Sequence, residues 1–459
     1  MDKLRIAKIE IEKLFGYLDH QINLNDSGIT FIHGPNGCGK TTILNLISAI
    51  FSRNFYAIAN IDFSSIRIHF SDSSLLIICR DIKKKNQNRL PLVDIDDDSQ
   101  GSYVMLRLEY QRPGQKLESF DIPDNVEKIN NRVGSLDRIS KIPFLRRVGP
   151  REWLDRRTEE VLSYDDVLKR YYGMFFDETD IPKWFYTLCK ALNIQFIKTQ
   201  RLLSIDHYNI KRDSERPIQE AIQVYAKELQ NLMSEKLAEQ AATSQAYDSS
   251  FPERLLSGEV RHESEDDVRK RYQTIDKKTK ALVNAGLINK QRHIPLPEQA
   301  LDRNQLQVMT LYLDDMEKKL EVFDNELEKI DAFLDIVSKK MRGKTLRLSR
   351  SDGFSIVTKN NNRSDNKKID PTHLSSGEQH QIVLFYELIF KSKNNALYLI
   401  DEPEISLHID WQRKFIDDIL KVKCIGDSYF LIATHSPQII GSHYNESIAL
   451  NGGVLEEQK

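Results

Sequence analysis

The sequence lacks the roughly 18 consecutive apolar residues that a membrane-spanning helix needs, and its opening Met1-Asp-Lys-Leu-Arg5 lacks the apolar core of a secretory signal. The expectation is a cytoplasmic chain with no membrane partner. Cysteine is scarce: Cys38, Cys79, Cys189 and Cys424 are widely spaced and form no Cys-x-x-Cys pair, which leaves neither a disulfide framework nor a zinc site. Net charge is nearly absent, 66 basic residues standing against 68 acidic ones, so nucleic-acid or membrane-surface binding would have to come from a local patch. No internal repeat is evident. What is there, 40 % apolar and 29 % charged residues, is the balance of a chain that buries a core.

Apolar spacing orders the chain. Arg5 to Ile11 alternates in part at period two, Gln21 to Leu24 follows a turn, and Gly28 to His33 is a compact apolar run; Thr41 to Ile50 then carries apolar residues at helical spacing. Further strands are expected at Ser65–Phe70, Leu75–Cys79, Tyr103–Tyr110 and Asn193–Lys198. The stretches Lys83 to Arg89 and Asp94 to Asp98 read as solvated connections. From about residue 212 the pattern turns helical. Met309, Leu313, Met316, Leu320, Phe323, Leu327, Ile330, Leu334, Val337 and Met341 form an unbroken 4-3 alternation, the narrow seam a coiled coil needs, with shorter seams through Ile218, Ile222, Tyr225, Leu229 and Leu232 and through Val268, Tyr272, Ile275 and Leu282. After Gly343 the chain returns to strands at Thr345–Ser349, Phe354–Val357, Ala396–Ile400 and Tyr429–Ala433, and Lys359 to Lys368 reads as a polar loop.

Gly34-Pro35-Asn36-Gly37-Cys38-Gly39-Lys40-Thr41, followed by Thr42, fits G-x-x-x-x-G-K-[ST] with a strand before it and a helix after it. Glycines let successive backbone N–H groups converge on phosphate oxygens, and a helix N-terminus adds partial positive charge. Lys40 then reaches the β- and γ-phosphates of ATP, and Thr41 ligates Mg²⁺. Ala396 to Ile400 ends in Asp401-Glu402-Pro403, a buried-strand pattern delivering two carboxylates: Asp401 for the Mg²⁺ shell and Glu402 as general base.

Twenty-odd residues earlier, Leu374-Ser375-Ser376-Gly377-Glu378-Gln379 opens a helical stretch to Phe390. This order of motifs resembles the ABC-type ATPases. The resemblance implies that Ser375, Ser376, Gly377 and Glu378 face the γ-phosphate of ATP held by a second subunit, so that hydrolysis needs dimerised heads. It also makes His435, in Ile432-Ala-Thr-His-Ser-Pro437, the switch histidine. Roughly 330 residues separate Lys40 from Leu374, with heptad-bearing helices between them, which resembles the SMC-like branch. There the strand before the arm ends in a glutamine on Mg²⁺, here Gln200. Phe15 is read as core packing rather than an adenine contact. In one departure from the transporter pattern, Glu404-Ile-Ser-Leu-His408 puts His408 where an aspartate is usual.

Phe196 to Leu203, Ser244 to Leu256 and Ser375 to Gln381 narrow the resemblance to SMC/OLD-like ATPases of bacterial anti-phage modules, the AriA family of the PARIS system first and the PtuA family of the Septu system second. The fold implied is α/β, an ABC-type ATPase head assembled from N- and C-terminal halves with an inserted helical region forming a short coiled-coil arm. Its boundaries are read as 1–200 for the first half with an insertion, 201–343 for the arm and 344–459 for the second half. The implied partners are a homo-oligomer of dimerised heads up to a hexamer, a separate nuclease effector (Toprim-type if PARIS, HNH-type if Septu) and a phage-encoded trigger protein. The alternative implied is an SMC-like repair or recombination ATPase on duplex DNA, which the near-zero net charge does not favour.

Overall fold

The computed structural model describes residues 4–84, 102–122, 139, 142–155, 160–171, 181–197, 221–257, 263–289, 296–341, 343–358, 368–391, 395–405 and 407–450. Residues 85–89, Asp94 to Asp98, Thr199 to Arg201 with the candidate Mg²⁺ ligand Gln200, Ile218 and residues 359–367 lie outside the described residues. The chain divides into two compact units, one of residues 1–219 with 392–459 and one of residues 220–391. Among the described residues no helix is long and apolar enough to cross a membrane.

The strands run in chain order as β1 (Ile6–Leu14), β2 (Leu18–Asn23), β3 (Ile29–His33), β4 (Ser65–Phe70), β5 (Leu75–Lys84), β6 (Ser102–Gln111), β7 (Glu118–Asp121), β8 (Leu145–Gly149), β9 (Glu152–Asp155), β10 (Glu160–Ser163) and β11 (Asn193–Ile197). Then come β12 (Lys344–Ser349), β13 (Gly353–Thr358), β14 (Lys368–Ile369), β15 (Ala396–Asp401), β16 (Tyr429–Ala433) and β17 (Ser447–Ala449).

In the first unit, β2-β1-β4-β5-β6-β7 form an antiparallel sheet. The imperfect alternation of β1 has a physical cause. Ile6, Ile9, Ile11 and Leu14 are all buried although two of the three steps between them are odd. Both odd steps coincide with register shifts, at Ile6/Lys8 against β4 and at Ile11/Leu14 against β2. An extra residue at a bulge returns the next side chain to the same face.

The second sheet of this unit is parallel, in the order β11-β15-β16-β3-β17. Its N-terminal strand β3 pairs with two C-terminal strands, Phe31 lying opposite Ile432 on one side and Ser447 on the other. Every residue of β15 is buried, as befits a central strand covered on both faces. The helix Lys40–Phe51 packs on β11, β15 and β16 through Ile43, Leu44, Ile47 and Ile50. An α/β head whose sheet needs both ends of the chain is thus present, with helices inserted between those ends.

The second unit carries the long helix Ala221–Leu256, the helices Glu265–Asn284, Arg303–Glu321 and Asp324–Ser338, the β12-β13-β14 sheet and the helix Ser376–Phe390. Glu265–Asn284 packs against Arg303–Glu321, burying Val268, Ile275 and Leu282 as the spacing predicts. Charged pairs flank the helices: Arg271 meets Glu263, Asp314 and Glu317 at this contact, and Arg254 of the helix Ala221–Leu256 meets the buried Asp315 bidentately.

One correction concerns the long seam, which is not one helix. It breaks at Val322 and Phe323, where Phe323 N–H donates to Leu320 O at 3.1 Å, an i to i−3 bond that tightens the turn. Leu313, Leu320, Phe323, Ile330 and Val337 are still buried, because Phe323, fully enclosed, takes the bend without leaving the core.

The unit also runs past residue 343 to Lys391. An aromatic cluster accounts for this extent: Tyr225 stacks on Tyr386 with centroids 4.7 Å apart, and Phe333 meets Phe354, Tyr386 and Phe390. Phe333→Ala should cost about 3–5 kcal/mol, measured by chemical denaturation of the full chain; a loss under about 1 kcal/mol would show that the cluster is not what consolidates this unit.

Candidate functional site

The phosphate loop follows β3 and ends at the helix Lys40–Phe51. Its backbone requires glycine at two points. A Cβ on Gly34 would lie 2.5 Å from Leu450 O, the residue whose N–H donates to His33 O. Gly39 is left-handed (φ 92°), and a Cβ there would meet Leu14 Cδ2 at 2.6 Å. The loop is therefore pressed between the N-terminal sheet and the strand-end residue Leu450.

Lys40 is buried, and its Nζ donates to Gly34 O (3.0 Å) and Pro35 O (3.1 Å) and lies 3.7 Å from Cys38 Sγ. Among the described residues it has no carboxylate partner. A buried ammonium held over a glycine loop by two carbonyls and a thiol calls for an anion. The next residue supplies the other polarity: Thr41 Oγ1 donates to Asp401 Oδ1 at 2.9 Å, joining the helix start to the end of β15. Asp401 is itself buried. A hydroxyl and a carboxylate beside a cationic phosphate loop form the oxygen donor set that Mg²⁺ prefers when phosphates complete its shell.

The parallel register brings three strand ends level, Asp401 lying opposite Ala433 and Ala433 opposite Ile32. Glu402 and His435 consequently leave adjacent strands side by side, with His435 Nε2 3.7 Å from Glu402 Oε1. Glu402 has a left-handed backbone (φ 44°), fixed by its N–H to Ala433 O at 2.8 Å. A non-glycine residue in that region costs of order 1–3 kcal/mol, a strain that collects where side-chain aim matters. Glu404 adds a contact that the sequence reading did not anticipate: its Oε1 accepts His435 N–H at 2.6 Å.

One further expectation changes. Phe15 is not core: it is 40 % exposed, left-handed at φ 56°, and its Cε2 lies 3.5 Å from where a Gly39 Cβ would stand. His408 caps the helix Ile409–Arg413, Nδ1 accepting Asp410 N–H at 3.2 Å. Behind the loop, the buried His20 places Nε2 3.8 Å from the same Gly39 position, with no hydrogen-bond partner for that nitrogen among the described residues. Burial pushes the His20 imidazole below its ordinary pKa, against smaller pulls from the Cys38 backbone and Asp19.

The Ser375 to Glu378 motif belongs to the other unit. Ser375 is the N-cap of the helix Ser376–Phe390, in a capping box: its Oγ accepts Glu378 N–H, while Glu378 Oε2 accepts the Ser375 N–H (3.0 Å) and hydroxyl (2.9 Å). Lys344 Nζ donates to both Glu378 oxygens, at 2.9 and 2.8 Å. Burial pushes the Glu378 carboxyl up, but Lys344 and the Ser375 N–H and hydroxyl outweigh it and hold it below its ordinary range. Ser375 and Ser376 are exposed, leaving the helix N-terminus open to solvent. The Ser375-x-x-Glu378 spacing was readable from the chain; Lys344 had no local signal.

A glycine loop, a threonine–aspartate pair and a glutamate–histidine pair meet at the C-terminal edge of a parallel sheet, an arrangement that suits nucleotide hydrolysis. The profile of the AAA ATPase domain family matches residues 4–440, and the chain belongs to that family. An ATPase domain implies ATP binding, with Mg²⁺ as its usual companion. Two curated relatives are UvrABC system protein A of Clostridium acetobutylicum (33 % identical over 82 residues) and of Borreliella burgdorferi (32 % over 83 residues). In each case the match takes in 18 % of this chain and 9 % of the relative's length. Among solved structures, the Smc head domain with an extended coiled coil bound to the C-terminal domain of ScpA, from Pyrococcus furiosus, aligns at 13 % identity and a TM-score of 0.31, covering 98 % of this chain and 95 % of that one. The SMC head domain from Thermotoga maritima aligns at 12 % and 0.30, covering 95 % and 91 %.

Lys40→Ala should weaken ATP binding by at least about 100-fold, roughly 2.7 kcal/mol, in equilibrium titration; unchanged affinity would remove the phosphate-loop assignment. The depressed His20 pKa has a definite sign. The unfolded chain takes up the proton first, so stability is full above about pH 6.5 and falls as pH drops through the folded-state pKa. Denaturation midpoints should therefore decline with acidification more in wild type than in His20→Leu; parallel declines would show that His20 is not the group involved.

Proposed function

We propose that this chain is an ABC-type ATPase with composite sites, acting as the sensor and scaffold subunit of an anti-phage defence module. The observation that carries the hydrolytic part is the level placement of Thr41–Asp401 beside Glu402–His435 at one sheet edge. Bound MgATP supplies a γ-phosphoryl group poised for displacement by water. Lys40 and the Gly34 to Thr42 backbone would bind its phosphates, and Thr41 and Asp401 would hold the metal. Glu402 Oε1 accepts a proton from the attacking water, while His435 Nε2 orients that water and the γ-oxygens.

The composite reading rests on the exposed N-terminus of the Ser376–Phe390 helix, whose Ser375, Ser376 and Gly377 groups suit an anion presented by a second copy. Nucleotide then favours the paired form, and a trigger acts by binding one of the two states better than the other. The defence role, the homo-oligomer, the separate nuclease effector of Toprim or HNH type and the phage-encoded trigger rest on the resemblance of the motifs to the PARIS and Septu ATPases.

Glu402→Gln should keep ATP affinity within about threefold, slow turnover by about 100-fold or more, and accumulate a dimer or larger species in sedimentation with ATP. Undiminished hydrolysis would exclude Glu402 as the base. A variant that binds ATP yet stays monomeric would contradict the composite site. Affinity purification from the native host should recover a nuclease-sized second protein; recovery of this chain alone would contradict the effector assignment.

A further inference from the structure

We infer that Glu404 is a positioning residue that holds the His435 backbone in register with Glu402. The strand β16 ends at Ala433. Thr434, fully buried, still donates its N–H to Ile32 O at 3.1 Å, but His435, exposed and beyond the ladder, finds its acceptor in a side chain. Glu404 Oε1 provides it at 2.6 Å, a charge-assisted bond. The residues flanking His435 have anchors of their own. Ser436 N–H donates to Thr434 Oγ1 (3.0 Å), and Ser436 Oγ donates to Gln412 Oε1 (2.7 Å), whose amide donates in turn to Leu407 O (3.0 Å). For the histidine backbone itself, Glu404 is the bond that the structure provides.

The second carboxylate oxygen explains why a stability argument alone is insufficient. Glu404 Oε2 is buried and has no hydrogen-bond partner among the described residues. A buried, unsatisfied carboxylate oxygen costs free energy that a neutral acceptor would avoid. Glu404 stands two residues from Glu402, beside the candidate site. The geometry gives it a use. Glu402 is fixed by its left-handed backbone and its bond to Ala433 O, and Glu404, one turn further on, fixes the opposite partner of the pair, so the 3.7 Å approach of His435 Nε2 to Glu402 Oε1 is set from both sides. Preorganisation of this kind acts on the chemical step and leaves nucleotide binding to the phosphate loop.

The inference rests on Glu402 and His435 being the hydrolytic pair, and the test has an arm that does not. Hydrogen–deuterium exchange of the segment Phe430 to Gln438 is followed in the nucleotide-free full chain for wild type, Glu404→Ala and Glu404→Gln. Glu404→Gln keeps an acceptor oxygen; Glu404→Ala does not. Protection of the His435 amide should fall about tenfold or more in Glu404→Ala and persist in Glu404→Gln. In steady-state ATP hydrolysis, kcat should fall about tenfold or more in Glu404→Ala with KM within about threefold, and Glu404→Gln should recover most of it. Unchanged His435 protection in Glu404→Ala overturns the inference whatever the activity. So does wild-type kcat in Glu404→Ala when Glu402→Gln is inactive. Wild-type turnover in Glu402→Gln instead removes the hydrolytic-pair reading, and the exchange result then decides the structural claim alone. Should Glu404→Ala fail to fold, Glu404→Asp, one methylene too short to reach the His435 N–H, carries the same expectation.

Discussion

The insertion of β3 between β16 and β17 is the constraint on which the rest of the site depends. Residues near position 31 hydrogen-bond to residues near 432 on one side and 447 on the other, so the sheet cannot close until both ends of the chain are present. That pairing is parallel, which puts the three chemistry-bearing strand ends on one edge. The phosphate loop leaves β3 there, Asp401 ends β15, and His435 follows β16. Because β15 is buried along its whole length, its terminal carboxylate emerges where the apolar run stops.

Electrostatics then divides the edge into two halves. On the β3 side lie the buried Lys40 ammonium, bonded among the described residues to carbonyl oxygens and a thiol, and the start of a helix. On the β15 and β16 side lie Asp401, Glu402 and Glu404 with one histidine. Thr41 crosses between the halves through its hydroxyl. The glycine loop and the carboxylates thus present opposite charge at neighbouring places on one edge. The same edge carries its backbone strain at Glu402, while the helical unit spends its aromatic side chains on Tyr225, Phe333 and Tyr386.

The parts of this arrangement legible in the chain were those encoded locally. The glycine–lysine–threonine loop between a strand and a helix, the apolar run into Asp401-Glu402, and β16 running into His435 each follow from residues within about ten positions of one another. Sites made by distant residues were not legible. Nothing near Lys344 announces Glu378, and nothing in a single Asp-Glu-Pro-Glu stretch says that its last carboxylate reaches a backbone N–H thirty-one residues later. The long heptad seam runs over two helices rather than one, with Leu313 and Leu320 buried on the first and Ile330 and Val337 on the second, either side of the tightened turn at Phe323. Phe15 failed because apolar character alone does not separate a core residue from an exposed one beside a glycine loop. The role of Gln200 rests on the motif resemblance, since that residue lies outside the described residues.

The central claim is that residues 360 positions apart, Thr41 and Asp401, serve one metal–nucleotide site. Equilibrium ATP binding to the full-length chain, measured with Mg²⁺ and again with the metal chelated, tests it most directly when wild type is compared with Asp401→Asn. The account predicts that Mg²⁺ tightens ATP binding to wild type by about tenfold or more and that Asp401→Asn loses most of that gain while keeping metal-free affinity. Equal Mg²⁺ dependence in the two proteins, or no ATP binding by wild type, would contradict it.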